Sequence, residues 1–200
     1  MHPLLRAIRL LWVAPAIILA SGHDAAAHDE VDVPIAGLSL RIASHPDSLP
    51  LYLLRGELRR IQGDYEGARD DFAEVARRDP TCRELDLRRA ALALDMGAPA
   101  EARRLMDATL AARPDEPAAL RLRSRALVAL GMPREAIADL GAMLANVAHP
   151  SPDHYLDRAR LQIQQGEPEA ALRGLDEARE RLGAVVSLEL YAIEIGRAHV

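Results

Sequence analysis

The chain contains no lysine: all 25 of its cationic side chains are arginines, set against 30 Asp and Glu for a formal net charge of −5. The signs alternate along the chain, so it lacks the concentrated basic footprint that a phosphate backbone requires, and nucleic acid is excluded as a partner class. Cysteine is almost absent. The lone Cys82 cannot form an internal disulfide, no Cys/His set stands at zinc-ligand spacing, and Cys82 itself reads as a small half-buried residue at a turn. Aromatics make up only 3% and β-branched residues are sparse, which argues against a sheet-built core. Long apolar runs are missing too: the most apolar stretch, Leu10 to Ala20, covers 11 residues and contains Pro15, against the ~20 that a spanning helix needs. What is present is Ala, Leu, Arg and Glu, all good helix formers, in 200 residues of which half are apolar. That suffices for one all-α domain or a short repeat array with a real core.

The first 27 residues follow other rules. They carry Arg6 and Arg9, then the short apolar stretch, then small residues ending in Ala25, Ala26 and Ala27. This is the layout of a secretory signal peptide, and we expect export to the periplasm with cleavage after Ala27, or less favourably after Gly22. An uncleaved membrane anchor is the competing reading. No Cys follows the apolar run, so a lipid anchor is not indicated, and no membrane span is expected once the signal is removed.

Glycines then punctuate the chain at Gly63, Gly97, Gly131 and Gly166, at steps of 34, 34 and 35 residues. A fixed period decides the fold, so other positions are placed on it. Ala68, Ala102, Ala136 and Ala171 keep the same steps, as do the bulky Phe72, Met106, Leu140 and Leu175. Small residues precede each glycine by seven: Gly56, Ala90, Ser124 and Ala159. Pro46, Pro80 and Pro114 also recur at the period. Each type has a physical task. Small side chains let two helices cross closely. Glycine closes the first helix in a left-handed conformation. Pro99, Pro133 and Pro168 suit the first turn of the second helix, as Tyr65 does in the first unit, and Pro80 and Pro114 stop it.

This pattern resembles the tetratricopeptide repeat, a 34-residue unit of helix, turn and helix. Four units fit: 49–82, 83–116, 117–150 and 152–184, preceded at 28–48 by a linker and a capping helix from Pro34 to Ser44. Leu188, Tyr191, Ala192 and Ile195 repeat the first-helix spacing of a truncated fifth unit over 185–200. The last residues, EIGRAHV, can be encoded by a common sequencing-adapter oligonucleotide, so about seven of them are expected to be non-native. Two departures are read as local: the third unit closes on HPSPDH with Pro150 and Pro152, and the fourth on Gly183.

The resemblance implies a right-handed α-solenoid whose first helices line an inner groove, and a protein-interaction role in place of a reaction. The groove positions that it implies include Glu57, Arg60, Glu84, Leu87, Asp95, Arg121, Arg125, Asp153, Leu156, Arg160 and Gln164. Arg121, Arg125 and Arg160 are expected to form an arginine patch able to grip the carboxylates of an acidic peptide segment. The family's best-known clamp for peptide C-termini uses Lys and Asn at such positions, and this chain has neither there.

Other chemistry finds little support. No nucleophile elbow, zinc-protease helix, P-loop or dinucleotide fingerprint is present, and we expect no enzyme activity and no cofactor. His45, His149 and His154 sit at turns beside prolines. His149, Asp153 and His154 could converge on a metal only if the two prolines did not splay them. Cleavage after Ala27 would leave His28 first, and an N-terminal His can chelate a copper-like ion through its amine and imidazole. The acidic cluster Asp64, Glu66, Asp70, Asp71 and Glu74 reads as a capped, solvated second helix, with Asp70, Asp71 and Glu74 expected to face outward.

Overall fold

Alternation of helix formers with periodic Gly and Pro yields helices and short turns throughout. The computed structural model describes residues 24–185 with Ser187, Leu188, Tyr191, Ala192 and Ile195, and side-chain surroundings from Pro34 onward. Residues 1–23 of the expected signal peptide (1–27) and, apart from Ile195, the last seven residues expected to be non-native lie outside the described residues. Nine helices are described in full: α1 (Asp24–Ser44), α2 (Leu49–Gln62), α3 (Tyr65–Arg78), α4 (Arg83–Asp95), α5 (Pro99–Ala112), α6 (Pro117–Ala129), α7 (Pro133–Asn146), α8 (Pro152–Gln164) and α9 (Pro168–Leu182). Among the described residues there is no strand.

Each helix packs on the next in chain order, and the first helices also touch in a row, α2 on α4 and α4 on α6. The molecule is an all-α solenoid of helix pairs. Within a pair the connection is two or three residues, too short for any but antiparallel neighbours. Gly63 shows why glycine recurs there: at φ 86° its N–H reaches the carbonyl of Arg60, and the N–H of Asp64 reaches that of Arg59 at 2.9 Å. These bonds satisfy carbonyls that the end of α2 leaves open, and a Cβ at that φ would be strained. Prolines open α5, α7 and α9, where a missing N–H costs nothing.

The close crossings sit where the small residues stand. A Cβ on Gly56 would lie 2.6 Å from the Phe72 ring, so only glycine lets α2 approach α3 this far. Ala68, Ala90, Ala102, Ala136, Ala159 and Ala171 are fully buried, with Phe72, Met106, Leu140 and Leu175 packed beside them. Small and large residues in alternation thus build the apolar core, which forms two clusters, one over α1 to α4 and one from α4 onward.

Three local features differ from the expected pattern or refine it. Helix α1 is already helical at Asp24, the first described residue, and runs through Pro34, since Ala25, Ala26 and Ala27 favour helix and Pro34 removes only one ladder bond. Its Leu38 and Ile42 are buried against the first unit. The loop from α7 to α8 has five residues where the equivalent loops after α3 and α5 have four. There the backbone N–H of Ser151 donates to His154 Nδ1 at 3.2 Å, so His154 caps α8.

Asp71 overturns an expectation. It is 3% exposed, not outward-facing. Arg55 on α2 holds it in a fork, donating from Nε at 3.0 Å and from Nη2 at 2.6 Å, and Arg59 donates from Nη1 at 2.9 Å. Its bond to Asp71 raises the Arg55 guanidinium pKa above its usual value despite burial. The rest of the acidic cluster is peripheral: Asp64 accepts from the Gly67 N–H at 2.9 Å as the cap of α3, and Glu74 pairs with Arg77 at 2.7 Å.

Candidate partner-binding groove

The row of first helices presents two electrically different halves. In the first, carboxylates and guanidinia neutralise one another in a chain that crosses three helices. Arg88 of α4 bridges Glu84 on its own helix and Glu57 of α2, the latter at 3.4 Å. Glu57 pairs with Arg60 at 2.8 Å, and Arg60 pairs with Asp95 of α4. Asp95 then lies 3.8 Å from Arg125 of α6. The Arg60 hydrogen bond is the chief reason that Glu57 is held below the usual carboxylate range. Two of the expected groove residues, Glu57 and Arg60, are therefore half-buried and already matched.

The second half is open. Among the described residues no Cα of α6 comes within 8 Å of one on α8, whereas α2 and α4, and α4 and α6, approach this closely. The extra residue in the loop before α8 accompanies this separation. A concavity of about 500 Å³ lies between them, lined by Arg121, Ser124, Arg125 and Val128 of α6, Leu140 of α7, and Asp157, Arg160, Leu161 and Gln164 of α8. Arg121, Arg125 and Arg160 thus share one hollow. Arg121 is exposed and makes no ion pair with any described residue. Arg125 has only the long contact to Asp95. Arg160 reaches Asp157 at 3.5 Å and lies 5.9 Å from the centre of the Tyr191 ring. Three guanidinia face one half-exposed carboxylate over an aliphatic floor, which is a surface that accepts negative charge.

Leu156 does not belong to this surface. It is buried, in the core cluster that also holds Tyr155, Ala159 and Leu188. Leu87 is half-buried and packed on the same core. Asp153 is exposed but lies outside the hollow. Sequence reasoning does not single out Val128, 43% exposed, or Leu161, although Val128 falls three residues after Arg125 on the same face.

A match to the family model described as tetratricopeptide repeat runs over residues 60–126. Residues 60–126 thus carry the tetratricopeptide-repeat signature. Solved repeat proteins share its fold at low identity. A tetratricopeptide repeat protein from Parabacteroides merdae is 18% identical with TM-score 0.65, covering 85% of this chain, which spans 66% of that protein. PilW, a type IV pilus biogenesis factor, is 20% identical with TM-score 0.70, covering 86% of this chain and 80% of its own. YrrB, a repeat protein with an unusual peptide-binding site, is 17% identical with TM-score 0.58, covering 84% and 86%. A search of curated proteins finds no match.

Among the described residues of this repeat array no group of three or more His, Cys, Asp or Glu could hold a metal ion. His154 spends its Nδ1 on the cap, and burial foremost, then Arg121, pushes its pKa down. The side chain of His28 lies outside the described residues.

Proposed function

We propose that the chain is an exported adaptor that holds an acidic segment of a partner protein in the hollow between α6 and α8. The observation that carries this reading is Arg121, without an ion pair among the described residues, beside Arg125 and Arg160 over an aliphatic floor where α6 and α8 stand apart. Arginine forks bind carboxylates in two-point geometry, and Val128 and Leu161 offer apolar contact between them. The tetratricopeptide fold supports a scaffold role, and YrrB, with its unusual peptide-binding site, is an example of a peptide site carried by this fold in another protein. Export rests on the layout of residues 1–27. No helix of the described residues is long and apolar enough to cross a membrane.

A fluorescein-labelled octaglutamate peptide tests the groove by anisotropy. Binding to the full chain, weakened at least about tenfold by the double substitution Arg121→Glu and Arg125→Glu and by raised salt, is the expected result. Equal affinity for the charge-reversed protein would place the site elsewhere. N-terminal sequencing of protein recovered from the periplasm should begin at His28; a chain that starts at Met1 and stays in the cytoplasm would refute export.

A further inference from the structure

Position 7 of every unit is arginine: Arg55, Arg89, Arg123 and Arg158. Each of these side chains leaves its first helix about 200° around from the groove positions two residues before and after it, on the side of the second helices. Three of them are matched. Arg55 takes Asp71 on α3 and donates to Ser39 on α1 at 2.9 Å. Arg123 forks Asp139 on α7 at 2.8 and 2.7 Å and reaches Asp107 on α5 at 3.0 Å. Arg158 takes Glu177 on α9 at 2.8 Å.

Arg89 is the exception. One period on from Asp71 and Ser39 stand Leu105 and Ala73, neither of which has a side-chain acceptor. Arg89 is half-buried and makes no hydrogen bond or ion pair with any described residue. It opens into a concavity of about 540 Å³ between α3 and α4, whose wall includes Arg69, Ala73, Ala76, Arg77 and Met96, with Glu101 of α5 at one side. Arg69 and Arg77 are exposed and held only by Glu66 and Glu74 of their own helix. Met96 is 46% exposed.

We propose that this furrow is a second docking site, filled by a partner polypeptide that places one Asp or Glu carboxylate on Arg89 and an adjacent aliphatic side chain over Ala73, Ala76 and Met96. The matched arginines at the same repeat position supply the template: the partner's carboxylate, lying over Ala73, takes the place from which Asp107 reaches Arg123. Charge complementarity favours it, since Arg69 and Arg77 have carboxylates on their own helix while Arg89 has none among the described residues. Glu101 opposes further acid, so this site takes a single carboxylate flanked by apolar residues and not the acidic run assigned to the groove. It lies on other helix faces, and either site can exist without the other.

The test titrates full-length protein, labelled in its methionine methyls and arginine side chains, with acetyl-Leu-Glu-Leu-amide and with acetyl-Leu-Gln-Leu-amide. Saturable shifts of the Met96 methyl and of Arg89 Nε–H by the Glu peptide, at least about tenfold weaker for the Gln peptide, are expected because the carboxylate supplies charge-assisted bonds. Arg89→Gln should reduce the Glu peptide to the affinity of the Gln peptide. Leu105→Asp, which rebuilds the internal pair while keeping the arginine, should do the same. The groove variant Arg121→Glu with Arg125→Glu should leave these shifts unchanged. Equal binding of the two peptides, wild-type affinity in folded Arg89→Gln, or no Met96 shift at millimolar peptide would each overturn the proposal.

Discussion

At the scale of single residues, glycines of one sequence period do two different jobs. Gly56 is a steric solution: its Cβ would collide with the Phe72 ring. Gly63 is a conformational one, at φ 86° with open space around it. Gly63→Ala should therefore cost about 1–2 kcal/mol whatever its neighbours, while Gly56→Ala should cost about 1–3 kcal/mol by overpacking. Denaturant titration of Gly56→Ala combined with Phe72→Leu should recover part of that loss, and the same partner change should recover none for Gly63→Ala. The aspartates separate in the same way. Asp71→Asn leaves Arg55 and Arg59 without their shared carboxylate and should cost about 2–4 kcal/mol, whereas the exposed Asp70→Asn should fall within about 0.5 kcal/mol of wild type. A helical wheel misplaces Asp71 because it sends every charge outward. The usable signal is the arginine at position 7 of each unit, which in three of the four meets a carboxylate across the helix pair.

Among elements, the helices and their turns were legible because glycine, proline and small residues each impose a constraint at a fixed spacing. Less legible were the ends: α1 extends back past Pro34, since nothing in a 34-residue pattern bounds a segment outside the repeats. The start of α8 illustrates a cap that only coordinates reveal. His154 accepts the Ser151 N–H through Nδ1, which requires the neutral ring, and burial together with Arg121 disfavours protonation, more than Asp157 and Asp153 favour it. Its pKa is thus lower folded than unfolded, so the unfolded chain binds the extra proton first. Stability from this site is complete above the ordinary histidine range and declines as pH falls through about 6.5. His154→Gln keeps a capping side chain at this position. Thermal melts between pH 5 and 7.5 should show a smaller loss of Tm on acidification in His154→Gln than in the wild type; identical losses would remove His154 from the pH response.

For the whole molecule, the repeats make a row of first helices, and the electrostatics of that row were only half visible in the sequence. The arginine patch could be placed because repeat positions bring Arg121, Arg125 and Arg160 together. The neutralising chain through Glu84, Arg88, Glu57, Arg60 and Asp95 could not, since ion pairing depends on side-chain reach between helices. Nor could the parting of α6 from α8, which no spacing rule encodes. Together these features set a cationic hollow beside a matched first half, and that hollow is where a partner should bind. The most direct measurement is methyl NMR of the full chain titrated with octaglutamate. Shifts centred on Val128, Leu140 and Leu161, with Leu40 and Met96 unmoved, are expected. Shifts centred on the first-half helices α2 and α4, or their persistence in the Arg121→Glu, Arg125→Glu protein, would contradict the assignment of the groove.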